Sequence, residues 1–305
     1  MGVPIMTTPG MSNYLRGFLI TLFGVLVISP DTLLIRLIEA DHWAQLFWRG
    51  TLSGLAVLVG VAVVTRGRGL RPLIRPTRAD LLMAVVYGSG NIAFVYSATH
   101  TLVANTLFLL ATSPIFAALI ARFVLKEAVG LRTVLTIAAT LVGIAVIASG
   151  SLGAGGGQIS GDIAALWSAF AIAVTFSIAR FQKGRSMVPA MGAGALLAGL
   201  TAAALAETVL VPAGDRIWMG LMGLWVVPVA FACLTTGPRY LPAADVGLLM
   251  LLEAVFGPLL VWWVLGEDPG PRTLLGGAIV LGAMVASNLW LLARGQRDRR
   301  LARRA

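Results

Sequence analysis

Between Asp80 and Arg122 the chain runs for 41 residues without an acid, a lysine or an arginine. As a single helix rising about 1.5 Å per residue it would reach about 60 Å, twice the ~30 Å hydrocarbon core of a bilayer. The stretch must double back, and Thr99-His100-Thr101 offers the turn. With 58% hydrophobic and 12% charged residues among 305, the chain has too few polar side chains to coat a soluble globule. Its charges gather in short clusters. The stretches between them predict ten membrane-spanning helices, at 15–36, 44–64, 79–98, 102–122, 131–150, 160–180, 187–209, 217–237, 244–265 and 272–293.

An internal repeat organises these spans. Leu125-Lys126-Glu127 with Gly130-Leu131-Arg132-Thr133 returns 140 residues later as Leu265-Gly266-Glu267 with Gly270-Pro271-Arg272-Thr273, and 13 of the 38 positions from Ala104 to Leu141 are identical at that offset. The fourth and fifth spans thus map onto the ninth and tenth. A division into an N-terminal five-helix unit, 1–154, and a C-terminal one, 155–305, follows.

Lysine and arginine counts orient the chain. With the N-terminus cytoplasmic, the inner side holds 19 of the 23, including the cluster Arg66, Arg68, Arg71, Arg75 and Arg78 and the tail from Arg294 to Arg304. The outer side keeps Arg36, Arg49, Arg216 and Arg272, together with Glu39, Asp41, Asp162, Asp215, Glu267 and Asp268. Both termini are expected inside. Because five is odd, the second unit enters the membrane inverted. The expected fold class is an all-α polytopic membrane protein, ten helices as two inverted five-helix repeats around a central cavity, the plan of alternating-access carriers.

The remaining signals narrow the function by exclusion. The net charge of +10 is accounted for by the inner-side clusters rather than by nucleic acid. The tail, six arginines in twelve residues, is expected to rest on anionic lipid headgroups. Residues 1–14 lack a basic n-region and a small-residue cleavage pattern, so the first span is expected to be an uncleaved signal anchor. Cys233 is the only cysteine, and His42 and His100, the only histidines, both fall near the outer surface; no metal centre is expected. Gly150 to Gly161 matches neither phosphate-loop pattern and is expected to be a flexible linker between the units. No cofactor motif is present, and the chain is not expected to be an enzyme.

Two five-span units, each with a fourth span closing in Leu-x-Glu ahead of Gly-x-Arg-Thr, resemble the EamA family of the drug/metabolite transporter superfamily. Ser113-Pro114-Ile115-Phe116 onward fits the family's fourth span, and Leu252-Glu253-Ala254-Val255 is similar to its Leu-Glu-Pro-Val pattern, with Ala254 in the proline position and Pro258 left to distort the helix. The resemblance covers essentially the whole chain. It implies a bacterial inner-membrane permease, often an exporter of amino acids or related compounds, with a cavity lined mainly by the first, third, fourth, sixth, eighth and ninth spans. It does not choose a substrate.

Ionisable groups at bilayer depth are costly and mark candidate sites. Glu253 lies about 14 Å into the ninth span, near the midplane, where a carboxyl can exchange a proton, meet a substrate ammonium, or cross-link two helices. Asp31 and Arg49, each nine residues from an outer turn near Ala40, are expected at one depth on adjacent helices, as an ion pair or as a carboxylate-binding gate. Pro30 lets the first helix bend beside Asp31. Arg36, nearer the surface, is expected to snorkel. Asn91, Tyr96, Ser113, Trp167, Thr175 and Trp225 complete a candidate lining, each open to the plainer role of a helix-helix contact. Small residues such as Gly192, Gly194, Ala198, Ala278 and Gly282 are expected to allow close packing, and the tenth span could also use them to form a homodimer. The leading function is a secondary transporter of small organic metabolites, with Glu253 as a proton-coupling group. A membrane-embedded enzyme acting on lipid-linked substrates and a non-transporting scaffold or sensor are the alternatives.

Overall fold

The computed structural model describes residues 11–124, 131–151, 156–182, 185–236, 240 and 243–302, and all the regular structure among them is helical. The first span is α1 (Met11–Ile28) followed by α2 (Asp31–Leu37), and the second is α3 (His42–Thr65). A short α4 (Arg71–Ile74) lies in the next connection, before α5 (Arg78–His100) as the third span. The fourth is split into α6 (Val103–Leu110) and α7 (Ser113–Val124). Then come α8 (Leu131–Ser151), α9 (Gly156–Phe181) and α10 (Val188–Leu205). The eighth span joins α11 (Arg216–Leu221), a π-helical segment (Met222–Val226) and α12 (Val227–Thr236); α13 (Ala243–Leu265) and α14 (Gly270–Ala302) complete the ten. Eight are long and apolar enough to cross a membrane, and the other two contain shorter apolar helices, Val134–Gly150 and Leu249–Leu265. The chain is a multi-pass membrane protein.

Three spans are broken, and each break precedes a proline. Pro30 follows the end of α1, Pro114 follows the gap between α6 and α7, and Pro228 follows the π segment. Proline has no N–H to donate and its ring crowds the carbonyl four residues back, so the helix ends or widens just ahead of it. Pro258 behaves differently: α13 runs through it as one helix.

The packing has a twofold pattern. α3 packs along α10 and α8 along α14, so the second helices of the two repeats meet each other, as do the fifth. α5 packs on α9, and its counterpart contact joins α1 to α12; α6 and α7 lie on α9, as α13 lies on α1 and α2. Glycines permit the close approaches. A Cβ on Gly54 would stand 2.8 Å from the Gly192 carbonyl oxygen, and one on Gly194 would stand 2.5 Å from that of Ala84. In the α8–α14 pair the arginines of the repeated motif act reciprocally: Arg132, opening α8, donates to the Ser287 carbonyl in the middle of α14 (2.8 Å), while Arg272, opening α14, donates to the Ser149 carbonyl late in α8 (2.9 Å). Arg272 thereby sits at the last turn of α8, where free carbonyls accumulate.

Two expectations change at this level. The glycine-rich stretch is not a linker throughout, because α8 extends to Ser151 and α9 begins at Gly156, with residues 152–155 outside the described set. Gly156, Gly157 and Gly161 are helical, and Gly161 lets α9 approach Thr101, where a Cβ would come within 2.8 Å of the threonine Cβ. The tenth helix also continues past its apolar part into the arginine-rich tail as far as Ala302. Leu125 to Gly130, the first part of the motif's first copy, lies outside the described residues, as do Arg303 and Arg304.

Candidate functional site

Each end of the bundle has a distinct chemistry. One carries Glu39, Asp41, Asp162, Asp215, Glu267 and Asp268 and is called the acidic end; the other carries Arg66 to Arg78, Arg122, Arg132 and Arg185 and is called the basic end. At the acidic end a polar network links helices of both repeats. Arg36 does not merely snorkel: it meets Glu267 at 3.3 Å and donates to the Thr101 carbonyl at 2.5 Å. Glu267 also accepts from the Val103 amide at 2.7 Å, capping α6, whose own N-cap, Leu102, has no side chain to do so. Asp162 accepts from Thr101 (2.7 Å) and Asn105 (3.1 Å), and Asn105 accepts from Thr273 (2.8 Å). At the basic end Arg185 pairs with Asp80 at 2.8 Å.

Between these ends lies a cavity of about 100 Å³. Asp31, at the start of α2, reaches it because the Pro30 break aims the carboxylate inward. Its Oδ2 accepts from Arg49 Nη2 at 2.7 Å, and Arg49 Nη1 donates to Asn91 Oδ1 at 2.7 Å. Asn91 in turn donates to the Tyr87 carbonyl at 2.9 Å, and the guanidinium lies 5.2 Å from the centre of the Phe94 ring. Asp31 and Arg49 are 1% and 3% exposed, so the pair exists at the cost of desolvating both charges and is held by short, charge-assisted bonds. Glu253 lines the same cavity and makes no hydrogen bond or ion pair with the described residues. Asp31 Oδ1, Arg49 Nε and Thr175 Oγ1 are also buried without a protein partner. The cavity thus holds two carboxylates against one guanidinium, with several polar atoms around it left without a partner.

Five of the nine residues singled out from sequence meet here: Asp31, Arg49, Asn91, Thr175 and Glu253. Four lie elsewhere. Tyr96 is nearer the acidic end, bonded to Ser160 (3.2 Å) and stacked on His100. Ser113 opens α7 beyond the lining residue Leu110. Trp167 and Trp225 are 49% and 56% exposed on the outside of the bundle, Trp167 donating to Ser89 at 3.3 Å. Helical phase separates the two groups: Tyr87, Asn91 and Phe94 share a face at spacings of four and three, whereas Tyr96 is five past Asn91, and Ser168 rather than Trp167 stands seven before Thr175. The same spacing would have found Tyr87, Phe94 and Ser168, which the sequence alone did not suggest. Phe231, Met191 and Met250 also line the cavity and carry no sequence signal beyond hydrophobicity. Its walls include the six expected spans and add the second, through Arg49, and the seventh, through Met191. No group of His, Cys, Asp and Glu able to hold a metal occurs among the described residues.

A ten-span bundle of two inverted repeats enclosing a central cavity with buried charge is the build of a secondary transporter. The chain belongs to the EamA-like transporter family, whose model matches residues 15–149 and 159–289, and thereby to the drug/metabolite transporter superfamily. Members of that family are transporters rather than enzymes. The fold is similar to that of a solved crystal structure described only as that of a protein, at a TM-score of 0.66 and 20% identity, covering 92% of this chain and 99% of that one. No curated protein matches the chain in sequence.

Proposed function

We propose that this protein is a proton-coupled exporter of small organic metabolites, amino acids or related compounds, working by alternating access. The observation that carries this is Glu253: a carboxyl without a partner among the described residues, in a cavity lined by both repeats, across from the Asp31–Arg49–Asn91 chain. A group so placed can hold a proton or a substrate ammonium but not both, which is the elementary requirement for exchanging one against the other. Arg49 offers Nε to a substrate carboxylate while Asp31 and Asn91 hold its other nitrogens in place. The acidic network closes one end, and the charge bias makes that end extracytoplasmic, with both termini cytoplasmic in a bacterial inner membrane. The tail then lies among anionic headgroups.

Purified protein in liposomes tests this directly. Counterflow of amino acids and amines is expected to respond to an imposed pH gradient, and Glu253→Gln is expected to keep counterflow while losing that response. A pH response that persists in Glu253→Gln removes the residue from coupling; no solute movement by the wild type removes the transport assignment.

A further inference from the structure

A second, larger space shares a wall with the central cavity. It is a crevice of about 520 Å³ between α3, α10 and α12, running toward the basic end past Val57, Gly60, Val61 and Val64 of α3, Val188 of α10 and Val229 of α12. Its described lining contains no charged side chain. Tyr87, Met191 and Phe231 belong to both linings. Tyr87 meets Phe231 edge to face with ring centres 5.6 Å apart, so the partition consists of two aromatic rings and one flexible methionine.

Size and polarity divide between the two spaces. Organic ligands ordinarily fill pockets of about 300–1,000 Å³. The central cavity, at about 100 Å³, has room for a head group, whereas the crevice falls within that range. Every charged group is on the small side and the large side is apolar. The central carboxylates outnumber the guanidinium, and the aromatic rings at the partition favour a cation over an anion. The crevice-lining positions of α3 from Ser53 to Val64 extend about 16 Å along one face, giving an extended chain a continuous apolar track.

We propose that the two spaces form one bipartite site for an amphiphilic amine. The ammonium head sits between Glu253 and Asp31, and the hydrocarbon tail passes the Tyr87–Phe231 partition into the α3–α10–α12 crevice. This rests on the central cavity being the transport site. It adds that the substrates handled best are tailed amines rather than compact polar ones.

The test is binding of a series of primary alkylamines, from butylamine to octylamine, to the full chain in nanodiscs, with partitioning into empty nanodiscs subtracted. Affinity is expected to rise by about two- to fourfold per methylene, as for burial of each CH₂ from water. A Cβ at Gly60 would meet nothing within 4 Å, so Gly60→Phe can be accommodated and fills the crevice. It is expected to reduce the butyl-to-octyl gain at least tenfold, and Ala232→Phe from the facing wall is expected to do the same. Glu253→Gln is expected to weaken every amine by a similar factor, whatever its length. An unchanged gain in both crevice variants would assign the crevice to membrane acyl chains and overturn the bipartite site while leaving the central cavity as the transport site. Absence of amine binding by the wild type, with amino-acid counterflow intact, would overturn the ammonium head as well.

Discussion

The Asp31–Arg49 pair shows how much a single side chain carries inside this bundle. Both charges are almost fully buried, so Asp31→Ala leaves a guanidinium with Asn91 as its remaining partner, at a cost of about 3–5 kcal/mol. The expected readout is a clearly lowered thermal unfolding midpoint in detergent. The double change Asp31→Leu with Arg49→Met removes both charges together and is expected to recover most of that stability while abolishing substrate binding. A double variant as unstable as the single one would indicate that packing against α5 and α13, not charge, holds α2 in place. Asp31 and Arg49 were legible in the sequence because a charge in a span is rare and their equal distance from one turn puts them at one depth. Trp167 and Trp225 looked equally suitable, yet they face outward. Depth follows from counting residues, whereas facing depends on which neighbour a helix packs against.

At the level of elements, the glycine contacts and the arginine latches set how close the helices come. Gly194→Leu drives a side chain into the Ala84 backbone and is expected to cost about 1–3 kcal/mol or more, whereas Gly282→Leu, whose Cβ would meet open space, is expected to leave the unfolding midpoint nearly unchanged. Comparing the two midpoints checks this. The helices themselves were readable from hydropathy, and all ten expected spans correspond to helices of the structure. The breaks were only partly readable. Pro30 announced its own bend, but the proline that α13 absorbs, Pro258, has the same chemistry as Pro228, which follows a π segment, and only packing separates the two outcomes. The reciprocal Arg132 and Arg272 bonds could not be seen in the repeat motif, because their acceptors, Ser287 and Ser149, are backbone carbonyls 155 and 123 residues away.

For the whole molecule, the acidic-end network joins residues of one repeat to those of the other. Arg36→Ala combined with Glu267→Gln removes the ion pair and weakens the cap on α6, and is expected to shift the population toward conformers open at the acidic end. In a Cys233→Ser background, a cysteine replacing Ile172 in the cavity wall is then expected to react at least about tenfold faster with an impermeant thiol reagent applied from that side, since a few kcal/mol suffices for such a shift. No change in reactivity would mean that the seal lies in the apolar packing beneath the network. The two pairs of like helices, α3 with α10 and α8 with α14, have a further consequence. Each is a surface meeting the counterpart of itself, the relation that holds between identical subunits across a dyad. Before the two units were joined in one chain, a single gene product inserted in both directions would have satisfied the same contacts. Any substitution on those surfaces would then have been felt twice. The differences now separating the halves, above all Glu253 standing opposite Ser113 in the alignment of the repeats, are therefore changes that two copies of one identical unit could not carry on one side alone.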